Sequence, residues 1–439
     1  MVFAHGIGGA QDLPIPGELA IAGAGAALTV SFVVLALAWR TPRFDAETAG
    51  RPVPGWLARL VDGPVFGPVV RVLGLAFFLY VGWAAVAGPD LLINPTFGTV
   101  YVLLWVGIVP LSLLFGPFYR AVNPVRTLNL VLTRLIGGDP ERGLLELPRW
   151  VGYWPAALGL FAFVWLELIY PSSTYLSPVR LWFAVYVAVL LVGSALFGSR
   201  WIERADPFEA YSTLVGHLSF FGRRLDGALV VRSPLANLDG VVPAPGLVAV
   251  VSVLFGSTAF DSFKDSNVWL RFSQSTPLDI TMVNTAVLLG FCLAVGLTFA
   301  IATMCTGVKD DVRRTALPSL FAHSVVPIIV GYMVAHYLTL FVETGQQTLV
   351  QLSDPMATGE ANLLGTANWE VSYWLSAHPT LLAVTKVLAV VTGHVLGVVA
   401  AHDRAVKLLP RRHQLTGQLP LLFVMVFYTV TGLYLLFYA

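Results

Sequence analysis

The sequence predicts an all-α, polytopic integral membrane protein, and three observations carry that expectation. The 439 residues are 56% hydrophobic and only 12% charged, where a soluble domain carries roughly 25% charged residues. The apolar residues gather into ten runs of about 20 residues, the length that crosses roughly 30 Å of hydrocarbon. Lys and Arg fill one connection and are missing from the next, the pattern that successive cytoplasmic and outer loops follow. Segments this long and this uniformly apolar are helices rather than barrel strands, since only those two structures satisfy the backbone in lipid.

Taken in order, residues 1–17 (MVFAHGIGGAQDLPIPG) lack the basic and apolar regions of a secretory signal and form a lead-in. Spans are expected at 18–39, 68–88 and 98–116, then 151–170 and 177–198, then 243–262, 279–304, 316–342, 380–402 and 415–438. Arg40, Arg43, Arg51 and Arg59 follow the first span. Arg120, Arg126, Arg134, Arg142 and Arg149 fall in 117–150, and Arg200, Arg204, Arg223, Arg224 and Arg232 in 199–242. Loop 263–278 is mixed, 305–315 and 403–413 are basic, and 343–379 has no Lys or Arg. The alternation places both termini and the loop 343–379 outside the plasma membrane. The chain thus divides into helices 1–3 (18–116), helices 4–5 (151–198) and helices 6–10 (243–439), separated by two cytoplasmic amphipathic segments.

Those two segments look related. LLFGPFYRAVNPVRTLNLVLTRLIGG and ALFGSRWIERADPFEAYSTLVGHLSFFG each carry Leu-Phe-Gly, then Asn-Pro or Asp-Pro, then an amphipathic run. Asn123 and Asp206 suit helix N-caps, with Pro124 and Pro207 at the first helical position. Both runs are expected to lie along the membrane surface. Cys292 and Cys305 have no CxxC spacing and read as buried thiols. A net charge of +1 and the absence of a basic patch with interleaved aromatics exclude nucleic acid as a partner. The partners implied are the lipid bilayer and a small-molecule substrate or ion, and nothing in the sequence names a partner subunit.

Ionisable residues within spans mark working sites by default. Most lie between Ala316 and Arg404: His323, His336 and Glu343 on the eighth span or its end, and Lys386, His394 and His402 on the ninth. Counting about 1.5 Å per residue puts His323 and His394 near one depth, and His336 and Lys386 near another. His336 and Glu343, seven residues apart, share a helix face. With Asp261, and with Glu167 or His5 as further candidates, these residues predict an outward-facing site of His336, Glu343, Lys386 and Asp261. His402, beside Asp403 and Arg404, reads as an interface residue.

Imidazoles with carboxylates suit zinc, manganese or iron, for which His336, Glu343 and Asp261 are the candidate ligands. His323 and His394 at one depth would suit axial ligation of haem b. The same residues suit a proton or cation relay, with Pro327, Gly331 and Gly393 as helix-weakening positions. No HExxH, P-loop or GxSxG motif occurs.

On AHGIGGAQDLPIP (4–16), NPVRTL (123–128), DPFEAY (206–211), AHYLTL (335–340), GQ (345–346), SDP (353–355), LLGTAN (363–368) and GHVLGVVAAHDRA (393–405), the chain resembles bacterial polytopic membrane proteins labelled fenitrothion hydrolase. The resemblance implies a bacterial inner-membrane location and hydrolysis of an aryl phosphotriester, with His336, Glu343, Asp261 and His394 as candidates to hold a metal and its water. Hydrolase and transporter both remain open.

Overall fold

The computed structural model describes residues 8–305, 312–410, 413–414 and 416–438; His5 and parts of the basic connections 305–315 and 403–413 lie outside them. The principal helices are α1 (Gly17–Ala38), α2 (Phe66–Ala87), α3 (Pro95–Gly98), α4 (Ile108–Phe115), α5 (Pro124–Leu135), α6 (Trp154–Leu168), α7 (Leu176–Phe197), α8 (Pro207–Gly216), α9 (Leu247–Lys264), α10 (Ile280–Met304), α11 (Val326–Thr339), α12 (Gly345–Ser353), α13 (Pro379–Leu408) and α14 (Leu419–Tyr438). Strand is confined, among the described residues, to a three-stranded antiparallel sheet of β1 (Arg51–Pro52), β2 (Phe221–Arg223) and β3 (Leu229–Val231). The all-α expectation holds.

Eight helical segments among the described residues are long and apolar enough to cross a membrane, compatible with a multi-pass protein. A ninth is broken. At the expected third span, α3 runs into a π-helical turn (Thr99–Leu104), and α4 leaves at 47° to it. The π turn is visible in the backbone bonds from Trp105 N to Val100 O (3.2 Å) and from Gly107 N to Val102 O (3.0 Å). Such an inserted residue is an ordinary cause of a sharp bend. The expected fourth span is α6, whose 15 residues reach only about 23 Å. Helix also continues past the expected start of the loop at 343, through a π turn (Leu340–Thr344) and α12 to Ser353, because Thr348 and Leu352 supply a buried face.

The chain forms two compact units. Gly50–Val231 with Thr339–Tyr373 make the first; the described residues of 4–49, Arg232–Leu338 and the described residues of 374–439 make the second.

In the first unit the two related segments repeat one geometry. α4 and α7 end at Gly116 and Gly198, whose φ angles of 75° and 71° are the left-handed values that favour glycine. A short helix follows each, and then Asn123 caps α5 and Asp206 caps α8 through bonds to the N2 and N3 amides. Of the two runs expected at the surface, only α5 keeps an exposed face. All of α8 but the half-buried Thr213 is buried, because its flanks are apolar (Phe208, Tyr211, Leu214, Val215) and its acid, Glu209, is neutralised by Arg126.

In the second unit, α1 packs on α13 and α14, and α9 on α10. α11 and α13 touch directly. A Cβ added at Gly331 would fall 2.4 Å from the Ala389 carbonyl, and one at Gly393 2.4 Å from the Pro327 carbonyl. Cys292 is buried as expected, whereas Cys305, at the frayed end of α10, is exposed. At the far end of α13, Asp403 accepts bonds from Trp39 Nε1 (3.2 Å) and the Arg43 amide (2.7 Å). Beside it His402, read in the sequence as an interface residue, is buried and holds the Trp39 carbonyl at 2.9 Å.

Candidate functional site

Two sequence-predicted residues meet, both in the second unit. Asp261 stands in the last turn of α9 and His336 near the end of α11, and His336 Nε2 lies 2.9 Å from Asp261 Oδ2. The same oxygen accepts a bond from the Tyr337 hydroxyl at 2.6 Å. Oδ1 pairs with the Lys264 ammonium at 2.9 Å, one helical turn on. The other ring nitrogen, Nδ1, lies 3.1 Å from Ser262 Oγ, and Ser262 Oγ lies 3.0 Å from the Tyr332 hydroxyl.

Donor and acceptor chemistry orders this series. A carboxylate only accepts, so Nε2 donates to Asp261, while Nδ1 shares a hydrogen bond with the Ser262 hydroxyl, which also lies 3.3 Å from the Thr258 carbonyl. Ser262 oxygen then accepts from Tyr332. The series therefore runs Lys264–Asp261–His336–Ser262–Tyr332 without a donor facing a donor. It is buried except at Lys264, whose side chain is 28% exposed. The Tyr332 ring stacks parallel to the His336 ring, 6.4 Å between centroids, and fixes its plane.

Glu343 sits buried on the π turn Leu340–Thr344, in the first unit. Glu167 is also in the first unit, on α6. Lys386 faces the N-terminal lead-in, with its ammonium 3.5 Å from the Gly8 carbonyl and under the field of Asp12. The lead-in thus brings a carboxylate, Asp12, to bear on this buried lysine. His323 donates from Nδ1 to the Leu320 carbonyl at 3.1 Å. His394 is fully buried, its Nδ1 donating to the Val390 carbonyl at 2.8 Å, and its Nε2 has no hydrogen-bond partner among the described residues. Gly397 meets the Ser324 carbonyl and Gly393 the Pro327 carbonyl, so His323 and His394 stand about one turn apart along the helices rather than level.

These donors do not fit a divalent metal as they stand. Both Asp261 oxygens and both His336 nitrogens are engaged within the series, and an ammonium sits on the carboxylate. Among the described residues no group of three or more His, Cys, Asp or Glu could hold a metal ion. For a macrocycle between α11 and α13, the backbone contact at Gly331 and Gly393 would have to open.

Sequence reading missed Ser262, Tyr332, Tyr337 and Lys264 as members of the site. The signal was available: Asp261, Ser262 and Lys264 occupy one helix turn, and Tyr332 precedes His336 by four residues on one face.

The first unit holds a second polar cluster, around the two caps. Asn123 Nδ2 donates to Asp206 Oδ2 (2.8 Å) and Glu209 Oε2 (3.0 Å), and Tyr186 donates to Asp206 Oδ2 (2.8 Å). Arg126 grips Glu209 with two bonds, of 2.6 and 2.5 Å. Burial, and then the Glu209 carboxylate, push the Asp206 carboxyl up to about 7.

Compared with known protein families, with characterised proteins and with solved structures, the chain matches none.

Proposed function

We propose that this chain is a multi-pass plasma-membrane protein that passes protons through its second unit, as a transporter or proton-handling component without catalytic turnover. The observation that supports this reading is the hydrogen-bonded series from Asp261 to Tyr332. Asp, His, Ser and Tyr each hold and release a proton, and their atoms stand within transfer distance of one another. The Lys and Arg alternation sets the Asp261 end outside. Lys264, partly exposed there, pairs with the Asp261 carboxylate at the outer end of the series. The Tyr337 bond holds that carboxylate in register with Nε2.

A second reading draws on the order Ser262–His336–Asp261, which is that of nucleophile, base and orienting acid. The resemblance to aryl phosphotriester hydrolases points the same way. It ranks second because Ser262 is buried in α9, where a bulky ester would have to part packed helices to reach it.

Purified protein in liposomes tests both. Under an imposed potassium diffusion potential, the wild type should acidify or alkalinise the lumen faster than empty vesicles, and Asp261→Asn should slow it at least tenfold. Wild-type flux no greater than that of empty vesicles overturns the proton reading. Turnover of an aryl phosphotriester, abolished by Ser262→Ala, would put the hydrolase first.

A further inference from the structure

The series at Asp261 ends at Tyr332, inside the second unit, and a second set of observations continues inward from there. Tyr332 and His394 each directly follow a glycine of one helix contact: Gly331 on α11 lies against Ala389 and Gly393 on α13. His394 is fully buried. Its Nδ1 proton is committed to the Val390 carbonyl, so Nε2 presents a bare lone pair, and that atom has no partner among the described residues. An unsatisfied polar atom at such depth calls for an explanation.

The face of α13 that carries His394 also carries Val398 and Ala401, four and seven residues on. Those two residues, with Phe32, Gln418, Leu421 and Met425, line a cavity of about 10 Å³, near the least that admits one water. Gln418 is the polar wall. Its Oε1 lies 3.1 Å from His402 Nδ1, and His402 Nε2 lies 2.9 Å from the Trp39 carbonyl. An imidazole placed between two carbonyl oxygens donates at both when it holds two protons. His402 adjoins Asp403, which accepts from Trp39 and pairs with Lys407 at 3.6 Å.

We infer that His394 is the inner proton station of this unit, taking a proton at Nε2 from the Tyr332 side and releasing it to water in the Val398–Gln418 cavity, with His402 as the exit. This rests on the proton reading above. The transfer balances. Nε2 gains the Tyr332 hydroxyl proton to give imidazolium, while Tyr332 takes a proton in exchange from Ser262, itself refilled from His336. The Nδ1 proton stays on its bond to Val390, and loss of the Nε2 proton to water, as hydronium, restores the neutral ring. Of the titratable groups on the neighbouring helices, Tyr332 adjoins the Gly331–Gly393 contact on α11, and Tyr428 lies on α14. The second is committed, donating to the Val295 carbonyl at 2.9 Å beside Thr298.

The test uses full-length protein in liposomes of defined lipid with a luminal pH dye, comparing wild type, Asp261→Asn, His394→Leu and Ala401→Leu. Loss of at least tenfold in flux for His394→Leu, with a fall for the cavity-filling Ala401→Leu and an unchanged monodisperse elution profile, is the expected result. Should His394→Leu not fold, His394→Gln gives the same answer, since an amide carries no proton. Flux lost in Asp261→Asn but retained in the His394 variants overturns this inference and leaves the outer relay standing. No flux in the wild type overturns both.

Discussion

Asp206 carries two loads, and they pull in opposite directions. As the cap of α8 it accepts bonds from the Phe208 (2.9 Å) and Glu209 (3.2 Å) amides, which favour its charged form. Burial and the neighbouring Glu209 carboxylate oppose that charge more strongly, and lift the carboxyl from its usual range to about 7. The folded protein therefore binds more protons than the unfolded chain between about pH 4 and 7. The contribution of Asp206 to stability is fully present below the unfolded carboxyl range and is lost as pH rises through about 7. Thermal unfolding of detergent-solubilised protein should show a midpoint that falls from pH 5 to pH 8. Asp206→Asn should flatten that slope, because the amide has no proton to lose; it should also lower the midpoint at pH 5, because its NH₂ then faces the Asn123 NH₂. An unchanged slope would place the titration elsewhere. The cap itself was legible as Asp-Pro before an amphipathic run. Its burial was not, since the partners Asn123 and Tyr186 are 83 and 20 residues away.

Helix pairs decide what the single residues can do, and here the decisive pair is α11 with α13. Glycines at 331 and 393 let the two backbones meet, with hypothetical Cβ atoms falling 2.4 Å from the Ala389 and Pro327 carbonyls. Small residues at a crossing are how apolar helices gain close packing in lipid, where no hydrophobic drive separates helix from tail. Gly393→Ala should thus force the pair apart and cost about 1–3 kcal/mol, the range for overpacking a tight site. A lowered unfolding midpoint would register it, together with slower proton flux if the register between Tyr332 and His394 matters. An alanine variant as stable and as active as wild type would show that the contact can shift freely. Both glycines stood out in the sequence as helix-weakening positions. Their actual use is close approach, because α11 and α13 run through them without a break. The breaks fall instead at the π turns Thr99–Leu104 and Leu340–Thr344, in stretches with no proline inside the turn to announce them.

At the scale of the whole molecule, hydropathy and charge read further than chemistry did. Apolar length located the start of each of the ten segments to within a few residues, yet it could not foresee that one is bent by 47°, that another is only 15 residues long or that a third runs on to Ser353. Depth counting paired His336 with Lys386, but depth says nothing of rotation about the helix axis, and His336 turned to Asp261 on α9 while Lys386 turned to the lead-in. Charge alternation still makes a claim about the entire chain: both termini outside, and the connection beyond Ser353 outside with them. Single cysteines test it on a background of Cys292→Ala and Cys305→Ser. Glu360→Cys, on the exposed stretch after α12, should react with a membrane-impermeant maleimide in intact spheroplasts. Arg142→Cys, with a side chain 87% exposed, should react only after permeabilisation. The reverse pattern would invert the protein, and Lys264 would then take its protons from the cytoplasm rather than from outside. The relay would keep its order of residues and lose only its direction.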